Sequence, residues 1–248
     1  MRRFYFLVLL LAGLGLARAD ETQGLVIPFQ QVTVSSPVLQ DLIKEINVKE
    51  GDEVSKGQIL AQLMNDKEQL EVQKYEKLIE RAEFQYKGME TLAKEKMASK
   101  EAALEKLTDL ELARIQHKLA QTLCEEKTIR SPLAGIVVKK YKEPGEAVDR
   151  VDKLFDIVNI DKVYVQVYLD PKLMDKITPG ARVPVRFPSL GGNPQAAVAT
   201  VAFIDPRIDA ASGLFRVKLV LDNSTHGIKA GMRGQADFTK IEGASAAQ

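Results

Sequence analysis

Few side chains in this 248-residue sequence have the type and spacing that chemistry needs. The single cysteine, Cys124, rules out an internal disulfide, a C-x-x-C redox pair and a cysteine zinc site, and reads as a small apolar residue in a helix. His117 and His226 lie far apart in the chain, with no carboxylate or cysteine cluster beside either, whereas a metal or acid–base site needs several such groups to converge. His117 falls in a helical stretch and is expected to be exposed. Met64, Met89, Met97, Met174 and Met232 are scattered and read as core or seam filling rather than a soft-metal stripe. Asn223-Ser224-Thr225 fits the glycosylation acceptor pattern but sits among turn residues. There is no G-x-S-x-G, no H-E-x-x-H and no glycine-rich phosphate loop. The expectation is a protein without catalytic residues, cofactor or metal, so its function must come from shape and surface.

The elements that would carry such surfaces are better marked. Hydrophobic residues make up 45% and charged residues 28% of the chain, an ordinary globular balance. Lys and Arg total 35 against 34 Asp and Glu, so no basic footprint for nucleic acid exists, and with no Trp and 6% aromatics a base-stacking platform is excluded too. Residues 1–19 have the pattern of a secretory signal: Arg2 and Arg3, an apolar run from Phe4 to Leu16, then Ala17-Arg18-Ala19. Cleavage there would take the formal charge from +1 to −2 by removing Arg2, Arg3 and Arg18. That predicts an exported, periplasmic protein, or one anchored to the inner membrane if the segment is retained.

Three textures follow. Residues 24–63 read as strands with Gly51 and Gly57 at turns; residues 65–126 have no Pro and one Gly, Gly88, and are rich in helix formers; strand texture returns from Ser131-Pro132. In the first half of the helical stretch Val72, Tyr75, Ile79, Ala82, Tyr86, Met89 and Ala93 alternate by three and four, the seam of a coiled coil. Beyond a break near Ala98-Ser99, Leu104, Leu107, Leu112, Ile115, Leu119 and Leu123 are expected to form the matching seam. Ser99, with Glu101 and Glu105 following, suits a helix start.

The flanks of the helices repeat each other. Ser36-Pro37-Val38, Lys49-Glu50-Gly51-Asp52-Glu53-Val54 and Ile59-Leu60 precede them; Ser131-Pro132-Leu133, Lys142-Glu143-Pro144-Gly145-Glu146-Ala147-Val148 and Leu154-Phe155 follow. Two such halves predict a small sandwich with quasi-twofold symmetry. Gly51, Gly135, Gly145 and, in the last third, Gly231 are expected at its turns.

These halves resemble the two halves of a biotinyl/lipoyl domain, and a helical hairpin between them is similar to the periplasmic adaptor, or membrane fusion protein, family of tripartite efflux and secretion systems. The last third adds to the resemblance through Val163-Tyr164-Val165-Gln166-Val167, Pro179-Gly180-Ala181-Arg182-Val183, Ile204-Asp205-Pro206, Phe215-Arg216-Val217 and Lys229-Ala230-Gly231-Met232, ordered as in that family's β-barrel domain. It implies a mainly β, elongated, multi-domain fold with an inserted α-helical coiled-coil hairpin. The expected segments are the signal (1–19), an N-terminal extension (20–31), lipoyl-like half 1 (32–63), hairpin (64–127), lipoyl-like half 2 (128–159), β-barrel (160–240) and a flexible tail (241–248).

The resemblance also implies an adaptor that forms a homo-oligomeric ring, with a hexamer as one option, and bridges an inner-membrane transporter and an outer-membrane channel. A type I secretion or ABC-exporter adaptor, a lipoyl-carrier-like protein and a passive envelope scaffold are the alternatives. Leu92, Lys94, Met97 and Ser99 are the expected channel contacts at the hairpin tip. The sequence departs from the family at three places. Gln40 or Asp41 stands where half 1 usually has a glycine, Gly88 stands where a tip Arg is usual, and only roughly ten residues follow the barrel motif, too few for the membrane-proximal domain of long members. Asp66-Lys67 occupies the place of a lipoyl lysine, but the second half lies beyond the helices; Asn65 or Asp66 is instead expected to cap the first helix, with Glu68 completing a capping box.

Overall fold

A computed structural model of the chain describes residues 21–188 and 196–241. The signal-like segment 1–19, the turn Gly191-Gly192-Asn193 and residues 242–248 of the tail lie outside the described residues. The described chain forms two compact units, residues 30–160 and residues 21–29 with those from 161 onward.

The first unit uses the end of β1 (Glu21–Ser35), then β2 (Asp41–Ile46), β3 (Glu53–Val54) and β4 (Ile59–Leu63). Next come α1 (Asp66–Lys94) and α2 (Lys100–Glu126), then β5 (Thr128–Arg130), β6 (Gly135–Lys140), β7 (Ala147–Val148) and the start of β8 (Lys153–Leu169). The sequence repeat becomes an exchange of strands. Half 1 gives β2 to β7 of half 2, and half 2 gives β6 to β3 of half 1. The backbone N–H of Gly51 donates to Val137 O at 2.8 Å, and that of Gly145 to Ile43 O at 2.8 Å, the same bond made twice. Both glycines have positive φ, 94° and 87°, which a Cβ would resist.

The paired Ser-Pro motifs also have one cause. The buried hydroxyls of Ser36 and Ser131 donate to the carbonyls of Val38 and Leu133, two residues on, which satisfies polar groups that would otherwise be orphaned. Leu60, Leu63, Val137, Leu154, Phe155 and Ile157 fill the core between the halves.

Gly135 differs from the turn glycine expected. It opens β6, and a Cβ there would overlap the carbonyl oxygen of Val158, so glycine is needed for close approach. Half 1 has Asp41 at the equivalent position, while neighbouring Gln40 adopts φ 47°.

The second unit is a six-stranded antiparallel barrel. β9 (Arg182–Arg186), β10 (Ala196–Ile208), β11 (Phe215–Asp222) and β12 (Arg233–Asp237) follow β8 in the order β1-β12-β9-β10-β11-β8, and β1 pairing with β8 closes it. Period-two alternation sends Val163, Val165, Val167 and Leu169 of β8, and Phe215, Val217, Leu219 and Leu221 of β11, to the interior. Residues 21–29, expected as an extension, instead form a barrel strand, with Gly24 opposite Gly234 in β12. Gly231 has φ 91°, as a turn glycine should. Asn223, of the glycosylation-like triplet, is buried and brackets a loop: its amide nitrogen donates to Ile228 O and its amide oxygen accepts from Ile228 N, both at 2.8 Å.

α1 and α2 pack chiefly against each other. The α1 seam is the one the spacing predicts, with Ile79, Ala82 and Tyr86 in the shared cluster. The α2 seam is not. Leu110, Ala113 and Ala120 are buried and His117 and Cys124 half-buried, following a strict three–four alternation. Leu104, Leu112, Ile115, Leu119 and Leu123 are 62, 54, 65, 61 and 42% exposed. The leucines attract a hydrophobicity reading, but the bulk of Val72, Tyr75, Ile79 and Tyr86 on α1 leaves room across the interface mainly for small side chains. His117 is therefore a seam residue rather than an exposed one.

Candidate functional site

The hairpin places its exposed groups by closing each end with its own backbone. At the tip, α1 ends in a Schellman turn: Lys96 N–H donates to Ala93 O (3.1 Å), Met97 N–H to Leu92 O (2.8 Å), and Lys96 takes the left-handed φ of 59°. Ser99 then caps α2, its hydroxyl oxygen accepting from Ala102 N at 3.1 Å. Four residues, Glu95 to Ala98, thus reverse the chain with most backbone groups satisfied internally.

This turn brings the four expected contact residues together. Leu92 and Met97 are 41% and 74% exposed. Lys94 is exposed and ion-pairs with Glu90 at 3.1 Å, one helical turn back. Ser99 is exposed too, with its oxygen committed to the cap. A shallow recess of about 240 Å³ lies beside them, floored by Ala93 and Ala103 and rimmed by Glu90, Lys94 and Lys100. Gly88 is helical and opens on empty space, with the exposed Lys87 beside it. Met89 fills the seam as expected, whereas Met64 and Met97 are exposed rather than core.

The root of the hairpin is held by charge. Lys127 Nζ reaches Asp41 at 2.7 Å and Glu68 at 3.3 Å, and these side chains are largely out of water. Burial works against the Lys127 charge, but the hydrogen bond and attraction of Asp41, with Glu68, outweigh it and raise its pKa. Glu68 is therefore spent on Lys127 rather than on a capping box. Asn65 sits at the N-cap of α1 but its side chain makes no cap bond, and Asp66 pairs with Lys44 at 2.9 Å. Lys67 is simply exposed in the first turn.

The barrel has a recess with charged walls, about 330 Å³, lined by Tyr168, Asp205, Arg207, Asp209 and Arg216 among others. Its charges answer one another. Asp205 accepts from Arg207 Nε at 3.0 Å, Arg207 Nη2 at 3.1 Å and Arg216 Nη2 at 2.8 Å, which holds its carboxyl far below the usual carboxylate range. Asp209 is taken up by the N–H groups of Ala211 and Ser212. This is the chemistry of a loop brace. Among the described residues no group of three or more His, Cys, Asp or Glu is placed to hold a metal ion.

The surface that sequence reasoning missed is the outer side of α2, where Leu112, Ile115 and Leu119 form an apolar stripe. The signal was present: Ala103, Leu110, Ala113, His117, Ala120 and Cys124 fit a heptad interrupted only by Lys106, whereas Leu104, Leu107, Leu112, Ile115, Leu119 and Leu123 keep no such register along the whole helix.

Comparison with known proteins agrees with this architecture. Residues 30–159 match the CzcB-like barrel-sandwich hybrid domain, and residues 162–242 the CusB-like beta-barrel domain. The cation efflux system protein CzcB of Alcaligenes sp. (strain CT14) is 22% identical over 209 residues, covering 72% of this chain; the aligned part is 40% of that relative's length. The fold superposes on a MacA–MexA chimeric protein carrying the Pseudomonas aeruginosa MexA alpha-hairpin domain with a TM-score of 0.75, 18% identity, and 87% and 76% of the two chains covered. For the membrane fusion protein Spr0693 from Streptococcus pneumoniae R6 the values are 0.68, 16%, 90% and 98%. No helix among the described residues is long and apolar enough to cross a membrane.

Proposed function

Given that the chain belongs to the CzcB-like barrel-sandwich hybrid family, we propose that it is the periplasmic adaptor of a tripartite efflux pump. In this reading it is exported by its N-terminal segment, acts without catalysis, forms a ring and couples an inner-membrane transporter to an outer-membrane channel. The observation that carries the reading is the tip. A helical hairpin of about 43 Å, at 1.5 Å per residue, ends in a self-satisfied turn whose apolar residues, Leu92 and Met97, have no buried environment in their own chain. An exposed apolar pair flanked by charges at the end of a helix pair is suited to a groove between partner helices. The role of CzcB in cation efflux makes metal cations the first exported substrates to test.

The test is photo-crosslinking from position 99 in intact cells, with partners identified by mass spectrometry. Capture of an outer-membrane channel is expected. Capture of nothing but copies of the same chain, by a folded and exported protein, refutes the channel-bridging role.

A further inference from the structure

The barrel recess beside Asp205 has acceptors that are largely occupied and donors that are not. The buried carboxylate of Asp205 fills its lone-pair sites. Oδ1 accepts from the Arg207 backbone N–H at 3.1 Å and from Arg207 Nε at 3.0 Å, and Oδ2 accepts from Arg207 Nη2 at 3.1 Å and Arg216 Nη2 at 2.8 Å. Asp209 Oδ1 is held by its own loop, through the N–H groups of Ala211 and Ser212 and the Ser212 hydroxyl.

The donors have capacity left. Arg207 gives Nε and Nη2 to Asp205, and Nη1 makes no bond; its side chain is 81% exposed. Arg216 uses Nη2 alone, and its Nε is buried with no acceptor among the described residues. A buried donor without an acceptor is costly, so Arg216 is a cation short of partners. Its guanidinium lies 5.9 Å from the centroid of the Phe203 ring, which supports its plane. The hydroxyl of Tyr168 accepts from Gln166 Nε2 at 2.8 Å, and its own proton remains free to be donated. Ile208, half exposed, and Leu214 complete the wall, so an apolar surface stands beside these donors.

We propose that this recess binds a carboxylate carrying a compact apolar group, held by the free N–H groups of Arg207 and Arg216 and the Tyr168 hydroxyl, with Ile208 and Leu214 against the apolar part. Two arginines balance two aspartates here, so a dianion such as phosphate would meet uncompensated repulsion, whereas a planar monoanion matches the guanidinium fork. At about 330 Å³ the recess is at the small end of ligand pockets and suits a group the size of one amino-acid residue. Such a carboxylate comes from a free organic acid or from the C-terminus of a polypeptide that ends in an apolar residue. Every group involved lies in the barrel, so the site stands whether or not the hairpin acts as an adaptor.

An NMR titration of the full chain tests it, with N-acetyl-leucine and isocaproate as probes and N-acetyl-leucinamide as the uncharged control. Saturable shifts of the Ile208 and Leu214 methyl groups are expected with an acid, and none with the amide. Tyr168→Phe leaves the Asp205 brace intact and should weaken binding about three-fold; Arg207→Gln should weaken it about ten-fold, as loss of charge-assisted bonds in a partly solvated site implies. Tighter binding of N-acetyl-leucine than of isocaproate assigns the site to a polypeptide C-terminus. Equal or tighter binding of isocaproate assigns it to free acids, and either result supports the carboxylate site. An amide that shifts the same methyl groups as strongly as its acid overturns the carboxylate assignment. Binding that both variants leave untouched, or no saturation by either acid, overturns the site itself.

Discussion

The seam assignment on α2 makes opposite predictions for two residues of similar size five positions apart. Leu110 is 3% exposed and Ile115 is 65% exposed. Leu110→Ala removes three buried carbons, worth about 2.5 kcal/mol in transfer. The space left between α1 and α2 adds to this, and alanine's better helix propensity returns a few tenths, so the net loss is about 3 kcal/mol. In Ile115 only about a third of the side chain leaves water in the free chain. Its burial is worth roughly 0.7 kcal/mol, and replacing a β-branched residue with alanine gives back about 0.4, for a net change within about 0.5 kcal/mol. Because the hairpin packs chiefly on itself it opens as a local unit, and amide hydrogen exchange along α2 reads that opening directly. Protection of the α2 amides should fall roughly a hundred-fold in Leu110→Ala and barely change in Ile115→Ala. Equal losses in the two variants, or a silent Leu110→Ala, refute the seam.

Gly135→Ala should destabilise the sandwich by about 1–3 kcal/mol, read from the urea midpoint, because its Cβ would overlap the Val158 carbonyl oxygen and β6 must move. Ser99→Ala removes the cap of α2 and should cost about 1 kcal/mol, seen as faster exchange in the first turn of α2 alone. The raised pKa of Lys127 fixes the sign of a pH effect. Its stabilising contribution is fully present below the ordinary lysine value of roughly 10.4 and is lost as pH climbs through the higher folded value. Thermal melts should therefore show an alkaline decline that Lys127→Met flattens.

Much of the architecture follows from local chemistry. The repeated Ser-Pro and Gly motifs announce two equivalent halves, because the same hydroxyl-to-carbonyl bond and the same positive-φ glycine are needed in each. The α1 seam is legible because its bulky residues recur at heptad spacing, and Ser99 reads as a cap because its oxygen needs only the backbone beside it. The tip residues come together for the same reason, since the turn that joins them is closed by neighbours in sequence.

Other features depend on groups distant in the chain. The role of Gly135 is set by a carbonyl 23 residues away, and Glu68 leaves its capping box for Lys127, brought beside it by the return of α2 to the sandwich. The strand from 21 to 29 joins the barrel only because β12 supplies its partner edge. On α2 the sequence by itself determined that two stripes exist, one of small residues and one of leucine and isoleucine, both at helical spacing. Which of them turns inward was decided by α1, whose tyrosines and β-branched side chains occupy the shared space and admit chiefly small residues opposite, leaving the larger stripe to the outside.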